Sequence, residues 1–259
     1  MSLTYGSYLK VPELLRLQVP ASDPPEHDEM LFIVIHQVYE LWFRLLLHEV
    51  DRAKTELSAG DLFGAIARFK RLRTVMKTLV GQLDILETMT PLQFNTFRDR
   101  LEAASGFQSA QFRALEFVLG HKRPEMLGHY TAPGERAMLE QRLAERALQD
   151  HFMDFLVARG AAVPAALRAR DVTRPWEEST ELQAELVRLF RTAPDVTILL
   201  ELMTDFDEGL QEWRYRHVKM VERTIGNKRG TGGSSGAQYL RRSLFQPIFP
   251  DLWAIRTQL

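Results

Sequence analysis

Residues 28–58 constrain the fold of this chain more than any other stretch. Asp28 and Glu29 suit a helix N-terminus, where carboxylates meet the positive end of the helix dipole. Met30-Leu31-Phe32-Ile33-Val34-Ile35 follows, then Tyr39, Leu41-Trp42-Phe43 and Leu45-Leu46-Leu47. A helix of this pattern is apolar on almost every face in its first half, so it belongs deep inside a fold built around it. Ser58-Ala59-Gly60-Asp61 breaks the run and can cap a second helix that reaches about Thr88. Thr90-Pro91 opens a third, with a capping hydroxyl and a proline in the first turn. That helix holds Phe94, Phe97, Arg98 and Leu101 and stops before Ser105-Gly106. A fourth covers about 109–120. The last long helix spans about 194–226, with Val196, Leu199, Leu200, Met203, Phe206, Leu210, Trp213, Met220 and Val221 on its apolar stripe.

Strand patterning is scarce and no internal repeat stands out, so the fold class is all-α. The Pro- and Asp-rich segment 19–27 sets off an N-terminal arm, 1–27, from a single multi-helix domain, 28–259. Within that domain, 121–190 is more charged and is interrupted by Pro124, Pro133, Pro164 and Pro175. It reads as small, insert-like helices on the periphery.

Composition excludes several classes of function. The formal net charge of −1 leaves no excess of Lys and Arg to replace counterions, which argues against a nucleic-acid binder. The absence of cysteine removes disulfides, thiolate ligands, iron–sulfur clusters and cysteine nucleophiles, and it fits a reducing compartment. No basic segment leads into an apolar run at the N-terminus, and no stretch of about 18 uninterrupted apolar residues occurs. The expectation is a soluble, cytoplasmic protein without a membrane span.

Three residues and one loop can carry chemistry. His217 shares a helix face with Trp213, Met220 and Val221, so its imidazole points inward. It is either a core residue bonded to a neighbour or an axial ligand to haem iron, which needs one protein histidine in an apolar pocket. A zinc or non-haem iron site needs further ligands, and no HxxxH or HExxH pair occurs. His36 poses the same question, with Phe32, Tyr39, Glu40 and Phe43 on its face; its partner is either Glu40 or a ligand bearing an N–H or O–H. Arg98, beside Phe94 and Phe97, can hold a carboxylate through two parallel hydrogen bonds, or it pairs with a local acid such as Asp99. Gly230-Thr231-Gly232-Gly233-Ser234-Ser235-Gly236 is a linker by composition alone. Its place beside the histidine-bearing helix, with folded-looking sequence after it, favours a loop that closes over a ligand and offers N–H and hydroxyl donors. No phosphate loop or nucleophile elbow is present.

Four segments in register resemble the tryptophan 2,3-dioxygenase family. His27-Asp28-Glu29-Met30-Leu31-Phe32, leading to His36-Gln37 and Glu40-Leu41-Trp42, is similar to its distal-side helix. Thr90-Pro91, Phe94, Phe97-Arg98-Asp99 and Ser105-Gly106-Phe107-Gln108-Ser109 resemble its substrate segment. Trp213-Arg214, Arg216-His217, Ile225-Gly226 and the glycine loop resemble its proximal helix and closing loop, and the Tyr5–Leu9 arm also fits. The resemblance is weakest over about 121–190.

The resemblance implies an all-α haem-binding domain, haem b as cofactor, and a homotetramer. It implies that O₂ cleaves the indole C2–C3 bond of L-tryptophan to give N-formylkynurenine. Carried over by position, His217 is the axial iron ligand, with Ser105 and Trp213 beside the haem. His36 accepts a hydrogen bond from the indole N–H, Arg98 and Thr231 hold the carboxylate, and Phe32 and Phe94 line the indole pocket. Tyr5, Tyr8 and Leu9 complete that pocket from a neighbouring subunit. Some members carry tyrosine where this chain has Phe94, so its hydroxyl contact to the carboxylate is absent here. Two alternatives stay open: a haem enzyme that oxidises a substituted tryptophan or inserts one oxygen atom, and a haem-binding sensor or structural protein without turnover.

Overall fold

In a computed structural model, which describes residues 2–231 and 236–259, the chain is all-α, with no strand among those residues. Two short helices, α1 (Tyr5–Leu9) and α2 (Val11–Leu14), form the arm. The long helices α3 (His27–Ser58) and α4 (Leu62–Leu86) follow, then α5 (Pro91–Phe97) with a 3₁₀ turn at Arg98–Leu101. A 3₁₀ turn at Gly106–Gln108 leads into α6 (Ala110–Val118), and another at Pro124–His129 into α7 (Pro133–Ala144). Then come α8 (Leu148–Ala158), α9 (Ala165–Arg168), α10 (Thr180–Thr192) and the long α11 (Pro194–Ile225). The chain closes with α12 (Ala237–Arg241), α13 (Pro250–Ala254) and a last 3₁₀ turn.

The expected punctuation is in place. Asp61 accepts a hydrogen bond from Gly64 N at 2.9 Å and caps α4. Thr90 and Gln93 form a reciprocal capping box at the start of α5. Gly226, at φ 59° and ψ −131°, ends α11 in a conformation that only glycine adopts without strain. Glu29 does more than face the helix dipole. Its buried carboxylate accepts from Ala21 N at 2.7 Å and from Ser22 N at 3.1 Å, pinning the end of the arm to α3.

Helix α4 is the axis of the molecule, packed against α3 on one side and α11 on the other. Gly209 lets α11 approach α4 closely, since a Cβ there would lie 3.2 Å from the Met76 Cβ. Phe69 of α4 and Phe206 of α11 are fully buried and meet edge to face at 6.2 Å. Phe206→Ala is expected to cost about 3–5 kcal/mol, seen as a lower denaturant midpoint with an unchanged m-value. Helix α8, inside the proline-interrupted middle, covers a further face of α3 and buries Phe155 and Leu156 completely.

By length and composition α3 could cross a membrane, but here it packs against α4, α5, α6 and α8. It buries Ile35, Tyr39, Phe43, Leu46, Val50 and Leu57, while Met30, Val34 and Leu41 stay exposed. Within one chain, then, the helix is covered on fewer sides than its sequence suggests.

Two histidines outside the centre of the fold carry a pH dependence. Burial, with Arg214 adding to it, pushes His121 down to about 4 from 6.5. Burial and Lys54 do the same to His151, whose Nδ1 lies 2.8 Å from the Ser58 hydroxyl. Both bind a proton more weakly folded than unfolded, so stability is full above pH 6.5 and falls as pH drops toward 4. His121→Asn should flatten that slope by about 2 kcal/mol between pH 7 and 5, read from urea midpoints.

Candidate active site: an aromatic cavity between α3, α5, α6 and α11

Although α3 and α11 both pack along α4, they meet each other through side chains, and one end of the space between them is a cavity of about 500 Å³. That volume lies in the ordinary range for a cofactor or small-ligand site. Phe32, His36, Tyr39 and Phe43 enter from one face of α3, at the three- and four-residue spacing of a helix. Trp213, His217 and Met220 enter from α11 at the same spacing. Phe94 comes from α5, Phe112 from α6 and Tyr239 from α12.

His217 reaches the cavity with no hydrogen bond to its ring among the described residues. Its plane is set by Trp213, stacked at 5.2 Å with an interplanar angle of 3°. Phe112, at 5.1 Å, and Phe43, at 6.1 Å, hold Trp213 in turn. Burial, with His36 adding to it, pushes His217 down to about 4, so the imidazole is neutral at pH 7. A neutral imidazole with a free lone pair, facing an apolar cavity, is the donor that a haem iron takes. The residues present therefore fit the group that the sequence implied.

His36 differs from its expected pairing. Its Nδ1 lies 2.7 Å from the carbonyl oxygen of Phe32, while Glu40 instead accepts from Gln111 Nε2 at 2.9 Å. A carbonyl only accepts, so Nδ1 carries the proton and Nε2 is left as an acceptor. Burial lowers the pKa of His36 against the raising effects of that carbonyl and of Glu40. Phe32 lies against the ring at 4.1 Å and touches Phe94 at 5.6 Å. Phe97 does not line the cavity; it is fully buried behind Phe32 and Phe94, at 5.6 and 5.4 Å.

Arg98 lines the cavity but makes no ion pair with Asp99 or any other acid among the described residues. Its Nη2 donates to the carbonyl of Arg229 at 2.8 Å. Thr231 also lines the cavity, and its hydroxyl donates to the Ala104 carbonyl. Both ties join the start of the glycine loop to the segment after α5. Gly232, Gly233, Ser234 and Ser235, the middle of the expected closing loop, lie outside the described residues. Ser105 is at the cavity wall, and its hydroxyl accepts from Phe107 N at 3.4 Å. Tyr5, Tyr8 and Leu9 are exposed on α1, and none lines the cavity of its own chain.

Sequence reasoning missed Phe112, Tyr239 and a group of charges at the cavity wall: Arg113, Glu116, Arg123 and Arg214. Arg113 and Glu116 stand three apart on a helix that was foreseen, a spacing that allows an ion pair. Nothing local marks that pair as buried.

The fold and site define an all-α protein whose helices enclose an aromatic cavity faced by two neutral imidazoles. Compared with known proteins, residues 1–151 and 183–259 match the family model described as tryptophan 2,3-dioxygenase. A tryptophan 2,3-dioxygenase of Herpetosiphon aurantiacus is 57% identical over 258 residues, covering 100% of this chain and 99% of its own. One from Anaeromyxobacter sp. strain K is 51% identical over 260 residues, covering 100% and 97%. Another, from Bacillus thuringiensis subsp. konkukian, is 41% identical over 262 residues, covering 100% and 93%. The chain belongs to the tryptophan 2,3-dioxygenase family. The unmatched residues 152–182 fall inside the stretch where the sequence resemblance was weakest.

Proposed function

We propose that this chain cleaves the indole C2–C3 bond of L-tryptophan with O₂, giving N-formylkynurenine, and that it does so with haem b held by His217. The observation that carries this reading is the pair of neutral imidazoles, His217 on α11 and His36 on α3, facing one aromatic cavity. Held by His217, the haem would supply the redox-active iron that O₂ activation requires.

The chain's own groups bind and orient the substrate. Tryptophan brings an indole N–H, a carboxylate and an ammonium. His36, with its proton held on Nδ1 by the Phe32 carbonyl, accepts the indole N–H at Nε2. Phe32 and Phe94 flank the ring and keep water out. Arg98 takes the carboxylate after exchanging the Arg229 carbonyl for it, and Thr231 joins from the loop. With Phe94 in place of a tyrosine, these two carry more of the anchoring. Trp213 fixes the plane of His217, and Ser105, at the cavity wall, would lie beside the haem.

Residues 28–259 act as one catalytic domain, and the arm 1–27 reaches a neighbouring subunit of a homotetramer. Tyr5, Tyr8 and Leu9 there complete a second chain's pocket. Support comes from their exposure, at 79, 69 and 45%, and from the uncovered Met30, Val34 and Leu41 on α3. A cysteine-free chain suits the cytoplasm.

Protein expressed with haemin, reduced and given L-tryptophan and O₂, tests the reaction by product mass. Gain of both oxygen atoms is expected. Gain of one atom, or turnover only of a substituted tryptophan, would replace this reading with the specialised alternative. For His36→Ala, an intact haem spectrum with reduced but measurable turnover is expected, because His36 positions substrate and holds no metal. Complete inactivation with haem retained would instead make it an essential acid–base group.

A further inference from the structure

Glu40 is a carboxylate on the cavity that the binding scheme above leaves unused. It follows His36 by one turn of α3, so both side chains leave the same face of that helix. Gln111 of α6 fixes it: its Nε2 donates at 2.9 Å both to the Glu40 carbonyl and to the carboxylate Oε2. A neutral amide orients the carboxylate without cancelling its charge. No lysine, arginine or histidine pairs with it among the described residues. Glu40 is half-buried, and a carboxylate in aromatic surroundings is costly without a positive partner.

His36 stands where that charge is felt. Burial disfavours a second proton on the ring, while the charge of Glu40 favours it. Neutral His36 keeps its one proton on Nδ1, against the Phe32 carbonyl, so a second can go only to Nε2. The other charged groups on the cavity are Arg98 after α5, Arg113 and Glu116 on α6, Arg123 and Glu125 after it, Arg214 on α11 and Arg242 on α12. Among the described residues, Glu40 is the one whose charge weighs on His36. His217, from α11, is neutral at pH 7, and Tyr39 is pushed up to about 12 and stays uncharged. Helix α4 and the turn after it bring only Leu83, Leu86 and Met89 to the cavity.

We propose that Glu40 is a positioning residue for tryptophan binding that acts through His36: its clamped carboxylate decides how far the solution can be acidified before Nε2 takes a proton and the indole N–H loses its acceptor. The inference rests on His36 as the acceptor of that N–H and adds what sets the pH range of the contact. Glu40 favours the imidazolium form, so removing its charge lets His36 stay neutral, and able to accept, to lower pH. Gln111 belongs to the same device, because it holds the carboxylate on the cavity side of α3.

The test is L-tryptophan binding to the haem-loaded chain, read from the Soret shift between about pH 5 and 8. The benzothiophene analogue of tryptophan, with sulfur in place of the indole N–H, is the control. For the unaltered chain, affinity for tryptophan is expected to fall with acid, while affinity for the analogue holds level. Glu40→Gln should move that fall to lower pH by at least about half a unit, the effect of one charge a helical turn away under near-aqueous screening. Gln111→Lys sets a cation against the same carboxylate and leaves α3 untouched. It should move the fall the same way, and it decides the matter if Glu40→Gln does not fold. A merely structural role for Glu40 would weaken tryptophan and analogue alike at every pH with the fall unmoved, and would overturn the proposal. An unaltered chain whose tryptophan affinity shows no such fall, or falls equally for the analogue, would overturn it too. A haem-loaded chain that binds neither ligand at any pH would overturn the tryptophan reading and this inference together.

Discussion

His217→Ala is expected to yield a folded chain that does not retain haem. The imidazole has no hydrogen bond among the described residues and contributes to the fold mainly through its stack on Trp213, so its removal leaves the α4–α11 core intact. What it removes is the neutral nitrogen lone pair at the cavity wall. Loss of the Soret band after desalting, with unchanged far-UV dichroism, checks this, and added imidazole should restore part of the band. An unaltered haem spectrum in the variant would assign the ligand elsewhere, with His36 the next imidazole on the cavity.

Arg98→Ala is expected to weaken L-tryptophan binding at least tenfold. A charge-assisted contact to a carboxylate contributes about 1.5–3 kcal/mol, which corresponds to roughly tenfold or more in affinity. The guanidinium is partly engaged by the Arg229 carbonyl, so the substrate exchanges one acceptor for a stronger, charged one. Tryptamine, which lacks the carboxylate, should bind the variant and the unaltered chain alike. Unchanged saturation by tryptophan would remove Arg98 from the site.

These predictions lean on residues whose types and spacing stood out before any fold was known. His217 and His36 were identified as inward-facing because helical periodicity places them among apolar side chains, and both line the cavity. Their partners were not legible. His36 bonds the Phe32 carbonyl, a main-chain acceptor within its own helix, rather than Glu40. Arg98 meets the carbonyl of Arg229, 131 positions away, rather than its neighbour Asp99. Phe94 lines the cavity while Phe97, three residues on, is buried behind it, a distinction that their shared type and helical spacing do not make.

The sequence by itself determined the long helices and most of their ends, but not that of α5, which stops at Phe97 and continues only as a 3₁₀ turn over Arg98–Leu101. Apolar period, capping hydroxyls, prolines at first turns and Gly226 are local properties, set by backbone geometry within a few residues. It also determined the family, through motifs held in order along the chain. Only the tertiary structure decided which helices leave a gap. The cavity exists because α3 and α11 share α4 as a common neighbour without packing fully on each other. The arginine cluster around Glu116 was decided in the same way. Its members come from positions 113 to 214, and each alone reads as an ordinary helix or loop charge. Burial and electrostatic neighbourhood are sums over the whole fold, and no window of sequence contains them.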